Sequence, residues 1–539
     1  MAVGYVALNV NTTGTRNTAV GSQALDANTT GAYNVAVGSH SLSSNTTGEY
    51  NTAVGDYALN IATTASSNTA VGQSSMRDTT TGAANVTVGN STLIVNTTGS
   101  NNVAIGNSAL TANTTGNSST AVGYQALKTV TTAGTNSAFG YSALEMNTSG
   151  LYNVAVGSYA LEENTTGDNN VAVGGLCLDD NTTGSFCVGV GYEALGSNTT
   201  GNSNTAIGYN ALDANTTGEK NTAVGRHALG DNTTGDENTA VGQEAGKDIT
   251  TGSRNVAIGH QSMDDNTEGS QNTAVGYQTL YKNTTAHNNS AFGYRALKNS
   301  TGANNVAVGD EVLEANTTGE NNTAIGTNAG TAITTGSSNT CVGRAAGYKI
   351  TTAIENVMIG RHAGFDITTG EKNVCIGPQA GRDQLTGEDN RLYIARNNAA
   401  PNNAGAWIHG NDSGDCYQGN NGTHWTTTSD RRLKKNIVDN TKGLAEIDQL
   451  RVANFEYRTQ DEIDMSEFPL ADDPSQVVLG EGNEGVHTGI IAQEIEAILP
   501  ECIKVSDKGA KTVNTDPIMW ALVNAVKELS AKVKALEAN

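Results

Sequence analysis

A period of 17 residues limits what this chain can fold into more than any other feature. From Asn17 the sequence returns as NTAVGSQALDANTTGAY, NVAVGSHSLSSNTTGEY and NTAVGDYALNIATTASS, up to a unit that begins at Asn373. There are 22 units, with one slip, a 16-residue unit from Asn289 to Asn304. A fixed short period means a solenoid in which each unit buries its apolar side only against its neighbours. Seventeen residues are too few for a helix pair and lack the leucine-rich pattern, so each coil is expected to hold two short strands and two turns. With 37% hydrophobic residues and 63 Gly in 539, the chain suits a thin repeated core better than several globular ones.

The columns of the repeat assign provisional roles. The position of Val20 is Val, Ile or Phe in every unit (Ile105, Phe139, Ile207, Phe292), and the preceding one is Ala in 17 of 22. Neighbours in a strand face opposite ways. The bulky column is expected to fill the coil and the alanine column to face something that approaches closely. Gly21 and its equivalents never change, as a turn closed to other residues requires. At the position of Leu25, Gly246, Gly330, Gly347 and Gly364 replace leucine in units where, three residues later, Asn becomes Ile (Ile249, Ile333, Ile350, Ile367). Volume is moved rather than lost, which marks a packed interior. Asn-Thr-Thr-Gly supplies the second turn. Near the end, the alanine column enlarges to Cys341, Met358 and Cys375, which suggests a widening section.

Several functional classes are disfavoured. A net charge of −23 argues against nucleic acid held on a basic surface. No secretory leader and no apolar run of membrane-span length is read, so neither secretion by that route nor membrane insertion is expected. Cys177, Cys187, Cys341, Cys375, Cys416 and Cys502 show no metal-ligand spacing and read as reduced thiols. The abundant Asn-Thr-Thr sequons read as turn chemistry. The column after the glycine (Tyr5, Tyr124, Tyr141, Tyr192, Tyr209, Tyr277, Tyr294, Arg226, Arg344, His260) is variable and therefore expected on the surface. Asp179-Asp180 and Asp264-Asp265 read as solvated charge. No catalytic set is evident in the repeat, and no metal or cofactor is expected.

The character of the chain changes after the repeats. Residues 391–428, with Trp407 and Trp425, read as short strands and turns that form either a cap or a distal, receptor-contacting tip. Thr428-Ser429-Asp430-Arg431-Arg432-Leu433-Lys434-Lys435 then opens a mixed segment. Within it, Gly489 to Leu499 reads as a helix ended by Pro500. A last helix is expected to start at Asp516 with Pro517 in first position. Its apolar residues Met519, Leu522, Val526, Leu529, Val533 and Leu536 are spaced as a coiled-coil seam, although a helix packed on its own domain is the alternative.

Two resemblances follow from these motifs. The NTAVG and NVAIG units over roughly residues 1–390 resemble the head repeats of YadA-like trimeric autotransporter adhesins. That implies a left-handed parallel β-roll packed as a trimer, with the alanine column as candidate trimer face. At one strand spacing of about 4.8 Å per coil, the shaft would be roughly 105 Å long. The start at Ser429-Asp430, with GLAEIDQLRVANFEYR, HTGIIAQEIEAILPECI and DPIMWALVNAVKELSAKVKALE, resembles the self-cleaving, endosialidase-type intramolecular chaperone of phage tail spikes and fibres.

Together they imply a mainly β, trimeric protein with three parts: a shaft (1–390), a cap and linker (391–428), and a small α+β chaperone domain (429–539). The resemblance places a cut between Thr428 and Ser429, with Ser429 as nucleophile and Lys434 as base. A lysine does that work when neighbouring charge or burial lowers its pKa, and Arg431, Arg432 and Lys435 stand beside it. The expected role is a virion tail fibre, assembled in the host cytoplasm and attaching to a host-surface glycan or protein. Another tail protein is expected at its N-terminal end. A bacterial trimeric surface adhesin and a polysaccharide-degrading tailspike are the rival readings.

Overall fold

The computed structural model describes residues 1–383, 385–395, 406–410, 416–418, 439–468, 486–505 and 509–538, in two compact units, Met1–Asn421 and Gly422–Asn539. The first unit is a parallel β-solenoid. Each coil contributes a three-residue strand, such as Thr205–Ile207, which pairs with the same three residues of the next coil: Thr205 with Thr222, Ala206 with Ala223, Ile207 with Val224. β-branched residues at the outer positions suit an extended segment. The 16-residue unit keeps this register, with Ser290 opposite Val306, because its missing residue falls in the turn, where Asn-Thr-Thr-Gly is shortened to Ser300-Thr301-Gly302.

Only one of the two expected strands forms. On the opposite wall the backbone alternates in handedness, with Gln23 at φ 56° and Leu25 at φ 52°, and the pattern recurs along the solenoid. Its N–H groups point alternately along the axis: Gln23 donates to Tyr5 O in the preceding coil at 2.8 Å, and Leu25 to Ser41 O in the following coil at 3.0 Å. The ladder is therefore satisfied without a β pleat. A left-handed leucine costs about 1–2 kcal/mol. Full burial of its side chain returns about 1.5–3 kcal/mol, so the geometry holds.

The interior and exterior of the strand are the reverse of the sequence expectation. Ala19 and its equivalents are fully buried, whereas the Val20 column faces out, with Phe292 40% exposed. The two columns do face opposite ways, but with the faces exchanged. The reason is thinness. At Gly189, in the alanine column, a Cβ would lie 2.5 Å from Cys177 Sγ on the opposite wall. A single Cβ nearly spans the gap, so alanine faces in and the larger side chains face out. The turn glycine is held twice over: Gly21 has φ 141°, and a Cβ there would meet Gly38 O at 2.3 Å.

Volume is traded across this gap. Leucine's place at Gly246 is taken by Ile249, whose Cδ1 would lie 2.8 Å from an added Cβ, as the sequence swap implied. The enlarged residues near the end obey the same rule, so their volume does not require a wider section. Cys341 Sγ, Met358 Sδ and Cys375 Sγ occupy the space vacated at Gly347, Gly364 and Gly381. The coil of Thr87 uses polar volume instead, where Ser75 Oγ lies 2.5 Å from Thr87 Oγ1.

Two asparagine ladders complete the interior, one of them built from the asparagine of the Asn-Thr-Thr-Gly turn, which therefore does more than turn the chain. Asn45 Nδ2 donates to Asn28 Oδ1 at 2.8 Å and to Gly48 O at 3.1 Å. In the other ladder the Asn34 N–H donates to Asn17 Oδ1 at 2.9 Å, and Asn34 Nδ2 to Gly48 O at 2.8 Å. The sequon asparagines Asn28, Asn45 and Asn181 are fully buried, with their amide nitrogens engaged. At its end the sheet reverses: Leu392–Ala395 is the last parallel strand, and Ala406–Gly410 and Cys416–Gln418 add antiparallel to it. Tyr393 takes the alanine position there, and the described strands extend the sheet beyond the last coil.

The second unit is a small α+β fold. Helix α1 spans Leu444–Ile447, α2 Ala492–Glu496 and α3 Asp516–Glu537. Two antiparallel strand pairs join Ala453–Phe455 to His487–Gly489 and Ile503–Val505 to Lys511–Val513. Helix α2 starts three residues later than expected because Gly489 is paired with Ala453 in a strand. Thr515 rather than Asp516 occupies the cap position of α3. Ile495, Leu499 and Cys502 form the buried centre, with Leu450, Ile490 and Ile518 packed around it.

The volume trade predicts strong non-additivity at Gly330 and Ile333. Ile333→Asn alone leaves a hole and costs about 2–4 kcal/mol, and Gly330→Leu alone overpacks against Ile333 and Leu313 by about 1–3 kcal/mol. The double variant restores the common pair and should recover most of both losses in thermal unfolding. Additive losses would disprove the trade.

Candidate functional site

The columns that face outward are the functional candidates of the solenoid. The third residue of each three-residue solenoid strand is Val, Ile or Phe, and this column forms one apolar stripe, with Val190, Ile207, Val241, Ile258 and Phe292 exposed. This face, not the alanine column, is the one available to another chain.

The variable column after the glycine is exposed, as expected, and its rings stack on one another. Tyr124 and Tyr141 lie 5.1 Å apart, Tyr192 and Tyr209 5.8 Å, and His260, Tyr277 and Tyr294 form a run at 5.6 and 5.4 Å. In-register coils enforce this, because identical positions sit one strand spacing apart. A ring face spent on its neighbour is closed to a sugar; edges and hydroxyls remain.

Charges stack in the same way. Glu145, Glu162 and Asp179 occupy one column, and Lys128 closes its upper end with a 3.0 Å ion pair to Glu145. Asp179 was expected to be solvated, but it is half-buried. Burial first, then the negative charge of Asp180, pushes its carboxyl up to about 7. Asp264, 8% exposed, is pushed up to about 6 by burial and then by Asp248. Among the described residues, no group of three or more His, Cys, Asp or Glu is placed to hold a metal ion. The described cysteines Cys177, Cys187, Cys341, Cys375 and Cys502 are free and buried, and burial pushes Cys341 up to about 12.

In the C-terminal unit α3 serves two surfaces at once. Ala521 and Ala525 are buried against the domain, and Asn524 Nδ2 donates to Asn440 O and Lys442 O, both at 3.0 Å. The other side exposes Met519, Leu522, Val526, Leu529, Val533 and Leu536, so packing on the domain and a free apolar seam coexist on one helix. Among the described residues, no helix is long and apolar enough to cross a membrane. Thr428, Ser429 and Lys434 lie outside the described residues, as does Trp425.

Residues 429–504 match the family model described as chaperone of endosialidase. The chain carries a chaperone domain of this kind. The match opens at Ser429 and follows a 17-residue β-solenoid, an order that fits a tail fibre or spike with a C-terminal chaperone. No curated protein and no solved structure matches the chain.

The Asp179 carboxyl makes the solenoid sensitive to pH in a definite direction. Its folded pKa is raised from 3.8 to about 7, so its contribution to stability is full below 3.8 and is lost as pH rises through 7. Asp179→Asn, with the residue that stands naturally at Asn60 in the same column, should raise the melting temperature at pH 8 by more than at pH 5. An equal shift at both values would show that the carboxyl is not perturbed.

Proposed function

We propose that the chain is a homotrimeric tail fibre or spike whose solenoid is the host-attachment shaft, and whose chaperone domain drives trimerisation and then cuts itself off before Ser429. The carrying observation is the chaperone match that starts at Ser429, on the C-terminal side of the repeat. On this reading Ser429 attacks the preceding carbonyl while Lys434 takes its proton, with Arg431, Arg432 and Lys435 lowering the lysine pKa. The bond to Thr428 breaks, and the released shaft cannot retrace its assembly. No other enzymatic activity is proposed.

Trimerisation has two supports. The described part of the chaperone unit buries few large side chains, and the α3 seam is left open. A core this small gains from association. In the shaft the column of Val, Ile and Phe runs through every coil, and a contiguous exposed apolar surface marks an interaction site. Three copies are expected to meet there, before cleavage through the α3 seam and afterwards through the shaft. A virion protein at the N-terminal end and a host glycan or protein as receptor complete the proposal.

Denaturing mass spectrometry of the expressed chain tests the cleavage. Wild type should yield a shaft ending at Thr428 and a fragment beginning at Ser429, whereas Ser429→Ala and Lys434→Ala should stay intact. An uncut wild-type trimer would remove the dyad and leave the domain as a permanent trimer cap. Sedimentation tests the shaft face: Val190→Glu with Val224→Glu should convert the cleaved trimer to monomers of unchanged circular dichroism. A variant that remains trimeric would rule this face out.

A further inference from the structure

Most arginines of the solenoid are answered by an acid or a ring nearby. Arg226 reaches Glu244 at 2.6 Å, Arg254 reaches Glu237 at 3.1 Å, Arg77 reaches Asp78 at 2.7 Å, and Arg16 lies over the Tyr33 ring at 5.0 Å. Arg344 and Arg361 are different. They stand in the Arg226 column in successive coils, both exposed, and the Arg344 carbonyl accepts the His362 N–H at 2.9 Å. The two positions are thus one strand spacing apart, about 4.8 Å. Register explains the contrast. The position that offers Glu244 to Arg226 holds His362 for Arg344 and Gln379 for Arg361. Among the described residues neither guanidinium has a carboxylate partner.

The surroundings add to the positive field. Arg382 lies over the Phe365 ring at 5.2 Å and Lys349 over the same ring at 5.5 Å, while Phe365 stacks on Tyr348 at 4.9 Å. Lys349 is bound to Asp366 at 2.5 Å, and Arg382 is 3.7 Å from Asp383, so these two cations are partly offset. His362 sits among the arginines: burial first, then the charge of Arg382, Arg361 and Arg344, lowers its pKa. In a chain of net charge −23, a row of unanswered guanidinium groups beside aromatic surface is a local inversion.

We infer that the solenoid from Arg344 to Arg382 is a docking surface for a linear anionic polysaccharide, whose carboxylate or sulfate groups sit on Arg344 and Arg361. A planar guanidinium takes such groups through two parallel hydrogen bonds. A fixed row suits a polymer that repeats its charge, and the neighbouring rings offer apolar surface to the sugars. A nucleic acid would need a broader basic surface than the acidic chain provides. The inference rests on the reading of the solenoid as an attachment shaft, and names the chemical class of what it attaches to.

The test uses the purified full chain in low salt on immobilised dextran sulfate, on a polyuronate and on neutral dextran. The protein should be held by one or both anionic polymers and pass through neutral dextran. Arg344→Ser with Arg361→Ser, serine being the residue at Ser22, Ser39 and Ser158 of the same column, should keep the fold and bind roughly tenfold or more weakly. Arg226→Ser should bind as wild type. The inference is overturned by an unchanged double variant, by an equal loss in Arg226→Ser, by equal binding to neutral dextran, or by duplex DNA displacing the protein as well as free polysaccharide does. Adsorption to host cells is scored separately. A protein that binds polyanions through these arginines but does not adsorb overturns the attachment reading and leaves the docking surface standing.

Discussion

The solenoid depends on how closely its two walls approach. Where a Cβ on Gly189 would touch Cys177, and one on Gly364 would touch Met358, there is space for one small side chain and no more. Close packing at this scale turns every added methyl into a displacement somewhere else. It explains why alanine faces in, why valine and phenylalanine face out, and why Cys341, Met358 and Cys375 stand where glycine vacates the facing wall. The outward apolar face is a consequence of the inward constraint.

A coil this thin cannot be held by apolar burial alone. The strand, the alternating wall and the two asparagine ladders all run hydrogen bonds along the axis, from each coil to the next. A buried amide left unpaired would cost about 1–3 kcal/mol, and the neighbouring coil supplies the partner where it keeps the asparagine, as Asn45 does for Asn28, but not for Asn45 Oδ1, where the next coil has Ala62. Stability is therefore a property of stacking, as in other one-dimensional arrays.

Stacking also sets the surface chemistry. A residue's environment is decided less by its sequence neighbours than by the residues 17 positions away. Rings pair with rings, and Asp179 meets the carboxylates of its own column. Arg226 is neutralised or Arg344 left open according to what the next coil offers. A solenoid built this way can change its outward columns by single substitutions without disturbing the interior, which gives a physical basis for separating its surface chemistry from its fold.

The period, the invariant turn glycine and the leucine-to-isoleucine exchange were legible because each is a local rule repeated many times, and repetition separates a requirement from chance. The chaperone motifs were legible because several distinct segments had to occur in order. Alternation showed that Ala19 and Val20 face opposite ways but not which faces in, since that depends on the distance to the other wall. The handedness of Gln23 and Leu25, the burial of the sequon asparagines and the raised pKa of Asp179 were likewise hidden. The sequence by itself determined the repeat, the columns and the order of the two units. Tertiary structure alone decided which columns are interior and which charges are answered, because both depend on separations between coils and between walls that no single repeat contains.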